Sequence, residues 1–329
     1  MNTPIKVAVT GASGHVGVNL VNKLIKLGFD VKVLIFSSTI GLDDSRISKV
    51  VGSLLDKSVL VDLCKDVDVV IHLAAIISIG SESQELLNSI NVDGTKNILN
   101  VARNAGVKKF IHFSSIHALV HEPLEIPMDE TRELAVNSKL MYEQTKSIAE
   151  EWVLKQNTHD FEVVVLNPTS IIGPVDNKPS LMGEFMISVY KHTIPGVVPG
   201  GYDWVDVRDI VDAAIAAIEK GRGGERYILS GHWLSIKSFA DMFVDCSDKR
   251  NYLPVIPLWL TKIGVPFIML YSKITKSKPL YTFESLEILQ SGNKYISSSK
   301  AKSVLGFKSR PLEQTLSDTY KWFKENDYI

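Results

Sequence analysis

Three glycines, Gly11, Gly14 and Gly17, set between an apolar run and a helical pattern, constrain this chain more than any other feature. Ile5-Lys6-Val7-Ala8-Val9-Thr10 alternates and reads as a buried strand, and Val18-Asn19-Leu20-Val21-Asn22-Lys23-Leu24 repeats with helical spacing. Strand, glycine turn and helix in that order make a βα unit suited to a phosphate. Gly11 permits the sharp turn and Gly14, without a Cβ, lets a pyrophosphate reach the backbone. Gly17 lets helix and strand pack closely. The helix start then offers unpaired N–H groups and a positive dipole end to an anion.

The same alternation continues. Strands are expected over residues 29–36, 50–52, 67–75, 110–115 and 161–167, and helices over 58–65, 83–105 and 137–155. Strands alternating with helices through short links predict a doubly wound parallel α/β sheet covered on both faces. After Pro168 the character changes. Pro174, Pro179, Pro195 and Pro199 punctuate loops, Gly200-Gly201 marks a turn, and strands are expected at 204–207 and 226–229 around a helix at 209–220. We therefore divide the chain into residues 1–168, which hold the nucleotide, and 169–329, mainly a smaller C-terminal substrate lobe with some elements returning to the sheet.

Acids and bases nearly cancel, 37 against 36, which predicts no nucleic-acid partner. Cys64 and Cys246 stand far apart without metal-ligand spacing, and no metal is expected. The first strand begins within five residues of Met1, leaving no room for a secretory signal, so a cytoplasmic protein is expected. Residues 253–271, LPVIPLWLTKIGVPFIMLY, approach spanning length but carry three prolines and a central Lys262. Prolines interrupt helices and a central lysine is costly in lipid, so the segment is expected as a pocket wall, dimer face or interfacial helix rather than a membrane span.

Tyr142 and Lys146 stand four apart on the helix expected over 137–155, hence on one face. A free phenol has a pKa of about 10, and an ammonium one turn away is expected to lower it so that Tyr142 can exchange a proton with a substrate oxygen. Ser114 and Ser115 close the fifth strand, at the carboxyl end where ligands of open α/β sheets bind. A hydroxyl there can hold a substrate carbonyl against Tyr142.

With these residues in place the chain resembles the extended short-chain dehydrogenase/reductases of the epimerase/dehydratase superfamily, and within it the dihydroflavonol-reductase-like branch. The resemblance rests on Thr10–Gly17 (TGASGHVG), His72-Leu73-Ala74-Ala75, Asn91–Asn97 (NVDGTKN), Phe113-Ser114-Ser115, Tyr142-Glu143-Gln144-Thr145-Lys146 and Asn167–Pro174 (NPTSIIGP). Residues 203–214, Ser298–Ala301 and Leu305-Gly306-Phe307 support the branch. It implies a Rossmann-type fold, with Tyr142 the general acid/base, Lys146 its partner on the nicotinamide ribose and Ser115 the catalytic serine. Cofactor contacts are implied along Gly11, Ser13, Gly14, His15, Val16 and Gly17, then at Leu73, Ala74, Ala75 and Ser114, and around the nicotinamide at Pro168, Thr169 and Ile171. His72 is expected to brace a strand end, Asn91 to be structural, and His117 to be an exposed loop histidine.

Three departures sharpen the reading. Where the family usually ends its second strand in an acid that holds the ribose of NAD, this chain has Phe36, Ser37 and Ser38. A carboxylate that repels a 2′-phosphate is missing, so NADP is preferred over NAD. Ser53 replaces the usual adenine-contacting Asp, leaving Leu54 as the better contact. Sugar dehydratases carry an acidic pair beside the catalytic hydroxyl, and Ile116-His117 stands there instead, which argues against dehydration. The expectation is an NAD(P)-dependent oxidoreductase reducing a carbonyl or oxidising a secondary alcohol of a small molecule. The alternatives are a nucleotide-sugar epimerase with tightly held NAD and a non-catalytic NAD(P)-sensing regulator. The family also suggests a homodimer.

Overall fold

Alternating apolar residues in the first strand send side chains to two separate cores, and this sets the layering. Val7 and Val9 enter one apolar cluster and Ala8 the other. In the computed structural model, which describes residues 4–78, 82–247, 253–275 and 282–329, the strands are β1 (Lys6–Thr10), β2 (Asp30–Ile35), β3 (Ile47–Val51), β4 (Val69–His72), β5 (Lys109–Phe113), β6 (Glu162–Pro168), β7 (Ser170–Ile172), β8 (Gly201–Asp206), β9 (Glu225–Leu229) and β10 (His232–Ser235). Seven form one sheet in the order β3-β2-β1-β4-β5-β6-β9, every pair parallel. The order reverses between β1 and β4, so a crevice opens beyond their carboxyl ends.

Helices α1 (His15–Lys26), α7 (Val207–Lys220) and α11 (Ser299–Leu305) cover one face. On the other face lie α2 (Lys57–Cys64), α4 (Thr95–Asn104) and α5 (Met141–Leu154). The C-terminal half thus returns three elements, α7, β9 and α11, to the main sheet. The rest of it packs around a second sheet, β10-β8-β7, with α6 (Leu181–Tyr190), α8 (Ile236–Asp245), α9 (Leu258–Thr275), α10 (Phe283–Ser291) and α12 (Leu312–Glu325). Trp204 stacks on Phe239 at a centroid distance of 3.8 Å in that second core.

Several elements depart from the sequence expectation: β5 stops at Phe113 rather than at residue 115, and α5 begins at Met141 rather than at residue 137. The fourth strand stops at His72 rather than running to residue 75: Leu73 still donates to the Thr10 carbonyl, but Ala74 N–H turns to the Thr10 hydroxyl. The helix expected over 83–105 is α3 (Gln84–Leu87), a π-helical turn Asn88–Gly94, and then α4. The wide turn aims Asn91 inward, where it exchanges two hydrogen bonds with the Ile76 backbone, 2.8 and 3.0 Å, and donates to Thr145 at 3.3 Å. Finally, α9 runs through Pro266. Pro266 and Lys262 both lie exposed, so the carbonyl that the ring leaves unbonded is not buried in the core. No described helix is long and apolar enough to cross a membrane.

Candidate active site

Three polar side chains, Tyr142, Lys146 and Glu150, descend one face of α5 at successive four-residue steps and are all buried. Lys146 Nζ donates to the Phe113 carbonyl at 2.7 Å, at the last residue of β5. Two residues on, Ser115 caps the short 3₁₀ turn Ile116–Ala118, its Oγ accepting from His117 N–H at 3.2 Å. The Ser115 hydroxyl also lies beside the Tyr142 phenol. Serine, tyrosine and lysine therefore meet at the carboxyl end of β5.

Glu150, Asn167 and Arg226 complete the constellation, and the sequence reading assigned none of them a role in it. Glu150 is fully buried and pairs with Arg226 Nε at 3.1 Å. Asn167 Nδ2 donates to Glu150 Oε2 at 2.7 Å and to the Ser115 carbonyl at 3.0 Å. These residues come from α5, β6 and β9, which only the sheet brings side by side. A Tyr-x₃-Lys-x₃-Glu spacing was the one available signal, and a third helical step into a core is unreadable until the strands opposite are known.

Burial, not the ammonium, dominates the phenol. It pushes Tyr142 up to about 12, with the nearby Ser115 hydroxyl opposing. This corrects the expectation that Lys146 holds Tyr142 below its ordinary value. Lys146 itself is pulled down to about 8 by burial, with the Glu150 carboxylate opposing. A neutral phenol beside a serine hydroxyl is a proton donor ready for a basic oxygen.

The histidines divide clearly. His72 is buried between Thr10 Oγ1 at 2.7 Å and Thr95 Oγ1 at 2.9 Å, and burial takes its pKa down to about 3, so it braces the strand end as a neutral ring. His117 is not an exposed loop residue. Its side chain is 18% exposed, its Nδ1 lies 3.5 Å from Glu143 Oε1, and its ring stacks on His121. Short loops fold back here because Ala135 N–H bonds the Ala118 carbonyl. From the C-terminal lobe, the Glu284 carboxyl lies against the Tyr142 N–H, at the start of a helix that has no capping side chain of its own.

The glycine turn fits a dinucleotide. Gly11 has φ +70°, and a Cβ there would come within 2.7 Å of Ala74 N. At Gly17 it would meet the Gly11 carbonyl at 2.2 Å, whereas at Gly14 the same atom is 3.4 Å away and nothing else is near. α1 starts at Gly14 with no side-chain cap and no acid in its first turn, so its positive end faces the crevice. Ser13 and Val16 are half-buried beside it; His15 Nε2 contacts the Pro174 carbonyl at 3.1 Å and helps tie α1 to the loop after β7.

At the end of β2 Phe36 is 76% exposed, Ser37 is exposed, and Ser38 Oγ accepts from Ile40 N–H. Ser53 Oγ accepts from Leu55 N–H. Leu54 turns its side chain into the core against Gly94, while Phe36, Ile40, Val51 and Leu55 stay exposed at this end. Leu73, Ala74 and Ala75 line the chain leaving β4, all half-buried. Ser114 is buried on the Glu150 side, Pro168 ends β6, and Ile171 sits in β7. The Thr169 hydroxyl is committed to Asp203 at 2.6 Å. Among the described residues no cluster of three or more His, Cys, Asp or Glu is arranged to hold a metal.

A parallel sheet of this strand order, with a glycine turn at its switch point, defines a Rossmann-type α/β protein of the dinucleotide-binding kind. More narrowly, the chain belongs to the NAD dependent epimerase/dehydratase family, whose pattern it matches over residues 7–230. It is similar to sterol demethylase protein B of Methylococcus capsulatus, 29% identical over 98% of this chain and 99% of the relative. A putative dihydroflavonol 4-reductase of Synechocystis is also 29% identical, over 98% and 95%. Among solved structures, gox2253 superposes with a TM-score of 0.84 at 26% identity, covering 99% of this chain and all of that one. The UDP-glucuronic acid 4-epimerase of Bacillus cereus, solved with UDP-glucuronic acid and NAD, shares the fold at a TM-score of 0.77 and 21% identity, covering 98% of this chain and 100% of that one.

Proposed function

We propose that this protein is an NAD(P)-dependent oxidoreductase that interconverts a carbonyl and a secondary alcohol on a largely apolar small molecule. The observation that carries the proposal is the buried Tyr142 phenol beside the Ser115 hydroxyl, with Lys146 one helical turn below and held to the Phe113 carbonyl. A nicotinamide dinucleotide held along the glycine turn supplies or accepts the hydride. Tyr142 delivers its phenolic proton to the substrate oxygen in the reductive direction and takes it back in the oxidative one. Ser115 donates to the same oxygen and fixes its distance from the phenol. Lys146 stabilises the phenolate left behind, and its own position is held through the Phe113 carbonyl. Seclusion from water strengthens each of these contacts.

An apolar substrate is supported by the names of several relatives. One is the sterol-4-alpha-carboxylate 3-dehydrogenase ERG26 of Candida albicans, 26% identical over 97% of this chain and 98% of the relative. A preference for NADP is supported by the acid-free end of β2, where an anionic 2′-phosphate would find Phe36 and the Ser37 hydroxyl rather than a carboxylate. Oxidation of NADPH and NADH should be followed against a carbonyl panel that includes flat alicyclic ketones, beside calorimetric titration of both cofactors. NADPH-dependent turnover that Tyr142→Phe abolishes is the expected result. Tightly bound NAD with interconversion of nucleotide sugars and no net redox change would replace this reading by the epimerase one. Cofactor binding without turnover on any of these substrates would replace it by a sensing role.

A further inference from the structure

The outer face of α9 has the wrong chemistry for water. Trp259, Leu260, Ile263 and Phe267 are 66, 46, 58 and 71% exposed. At 100° per residue they fall within an arc of about 100°. Thr261 and Val265, on the opposite side, are buried, with Val265 in a cluster that also holds Leu286 and Leu289 of α10. Scattered exposed apolar residues need no explanation, but a contiguous aromatic and aliphatic stripe on one helix does. Val255, just before the helix, and Phe283, opening α10, are exposed as well.

Charge identifies what covers it. The described segment 253–275 carries Lys262 and Lys273 and neither Asp nor Glu, in a chain whose net charge is −1. A two-fold contact with a second copy sets this cationic stretch against its own image, which repels. An anionic lipid surface satisfies both features at once: apolar side chains enter the acyl boundary while cations meet headgroups. We propose that α9 is a monotopic membrane contact that lies on an anionic bilayer without crossing it. The contact belongs to the lobe whose α10 sets Glu284 against the Tyr142 N–H, so an apolar substrate partitioned into lipid meets the side of the protein that adjoins the catalytic helix.

The test is flotation of the full chain with vesicles of phosphatidylcholine, with and without phosphatidylserine. It reads no turnover, so it stands or falls separately from the enzymatic reading. The wild type should float with the anionic vesicles and much less with the neutral ones. A Trp259→Ser, Phe267→Ser double variant should bind at least about tenfold more weakly, and Lys262→Glu several-fold more weakly, both with an unchanged melting temperature. Should the double variant fail to fold, the lipid comparison and Lys262→Glu still decide. Absence of wild-type flotation, or equal flotation of the folded double variant, overturns the proposal. So does a wild-type dimer that the double variant converts to monomer, which would assign the stripe to a second copy.

Discussion

The Lys146 ammonium donates to the backbone carbonyl of Phe113, 2.7 Å away, and so pins the helix that carries Tyr142 to the strand that presents Ser115. The carbonyl of Ser115 is held in turn by Asn167, which also grips Glu150 two helical turns beyond Tyr142. The Ser115 and Tyr142 side chains are thus positioned from both sides by buried groups.

Replacing the phenol tests the proton donor. Tyr142→Phe should fold, retain dinucleotide affinity and lose turnover by about two to four orders of magnitude. Ser115→Ala removes an orienting bond and should cost less. Steady-state kinetics beside cofactor titration distinguish lost chemistry from lost binding.

Glu150 should govern the alkaline limb of the rate profile. Burial draws Lys146 down to about 8, and the Glu150 carboxylate opposes that shift. Glu150→Gln removes the opposing anion, the lysine loses its proton at lower pH, and the fall in kcat/KM moves toward neutrality. The variant also weakens the ion pair with the partly buried Arg226 and should lower stability in urea unfolding. A profile that moves to higher pH, or not at all, contradicts this role.

Two glycines three residues apart should respond in opposite ways. Gly17→Ala forces a methyl to 2.2 Å from the Gly11 carbonyl and should destabilise the fold by several kcal/mol, or prevent expression. Gly14→Ala meets nothing closer than 3.4 Å and should melt within a few degrees of wild type. Its methyl points where a pyrophosphate approaches, so dinucleotide affinity should fall by at least about tenfold. Differential scanning fluorimetry with and without NADPH reads both.

Acid should unfold the protein partly through its buried histidines. His72, His112 and His121 are all held neutral by burial, His72 and His121 down to about 3. Unfolded, each takes a proton near 6.5, so the unfolded state binds more protons below that pH and stability falls as pH drops from about 6.5 toward 3. His112, with no hydrogen-bond partner on either ring nitrogen, gains nothing to offset this. In His112→Leu the melting temperature should fall less steeply between pH 7 and 5, whatever its value at pH 7.

By itself the sequence determined the parallel sheet, the glycine turn and the Ser115, Tyr142, Lys146 set. These are encoded locally: strand alternation, helix spacing and turn glycines are properties of a few adjacent residues. Only the tertiary structure decided that Tyr142 is governed by burial and that Glu150 pairs with Arg226. It also decided that His117 is turned in against Glu143, and that α9 continues through Pro266 with its apolar face outward. Each of these depends on which distant segment lies opposite. Desolvation and pairing are set by neighbours in space, and residues 150 and 226 become neighbours only when β6 and β9 join the same sheet.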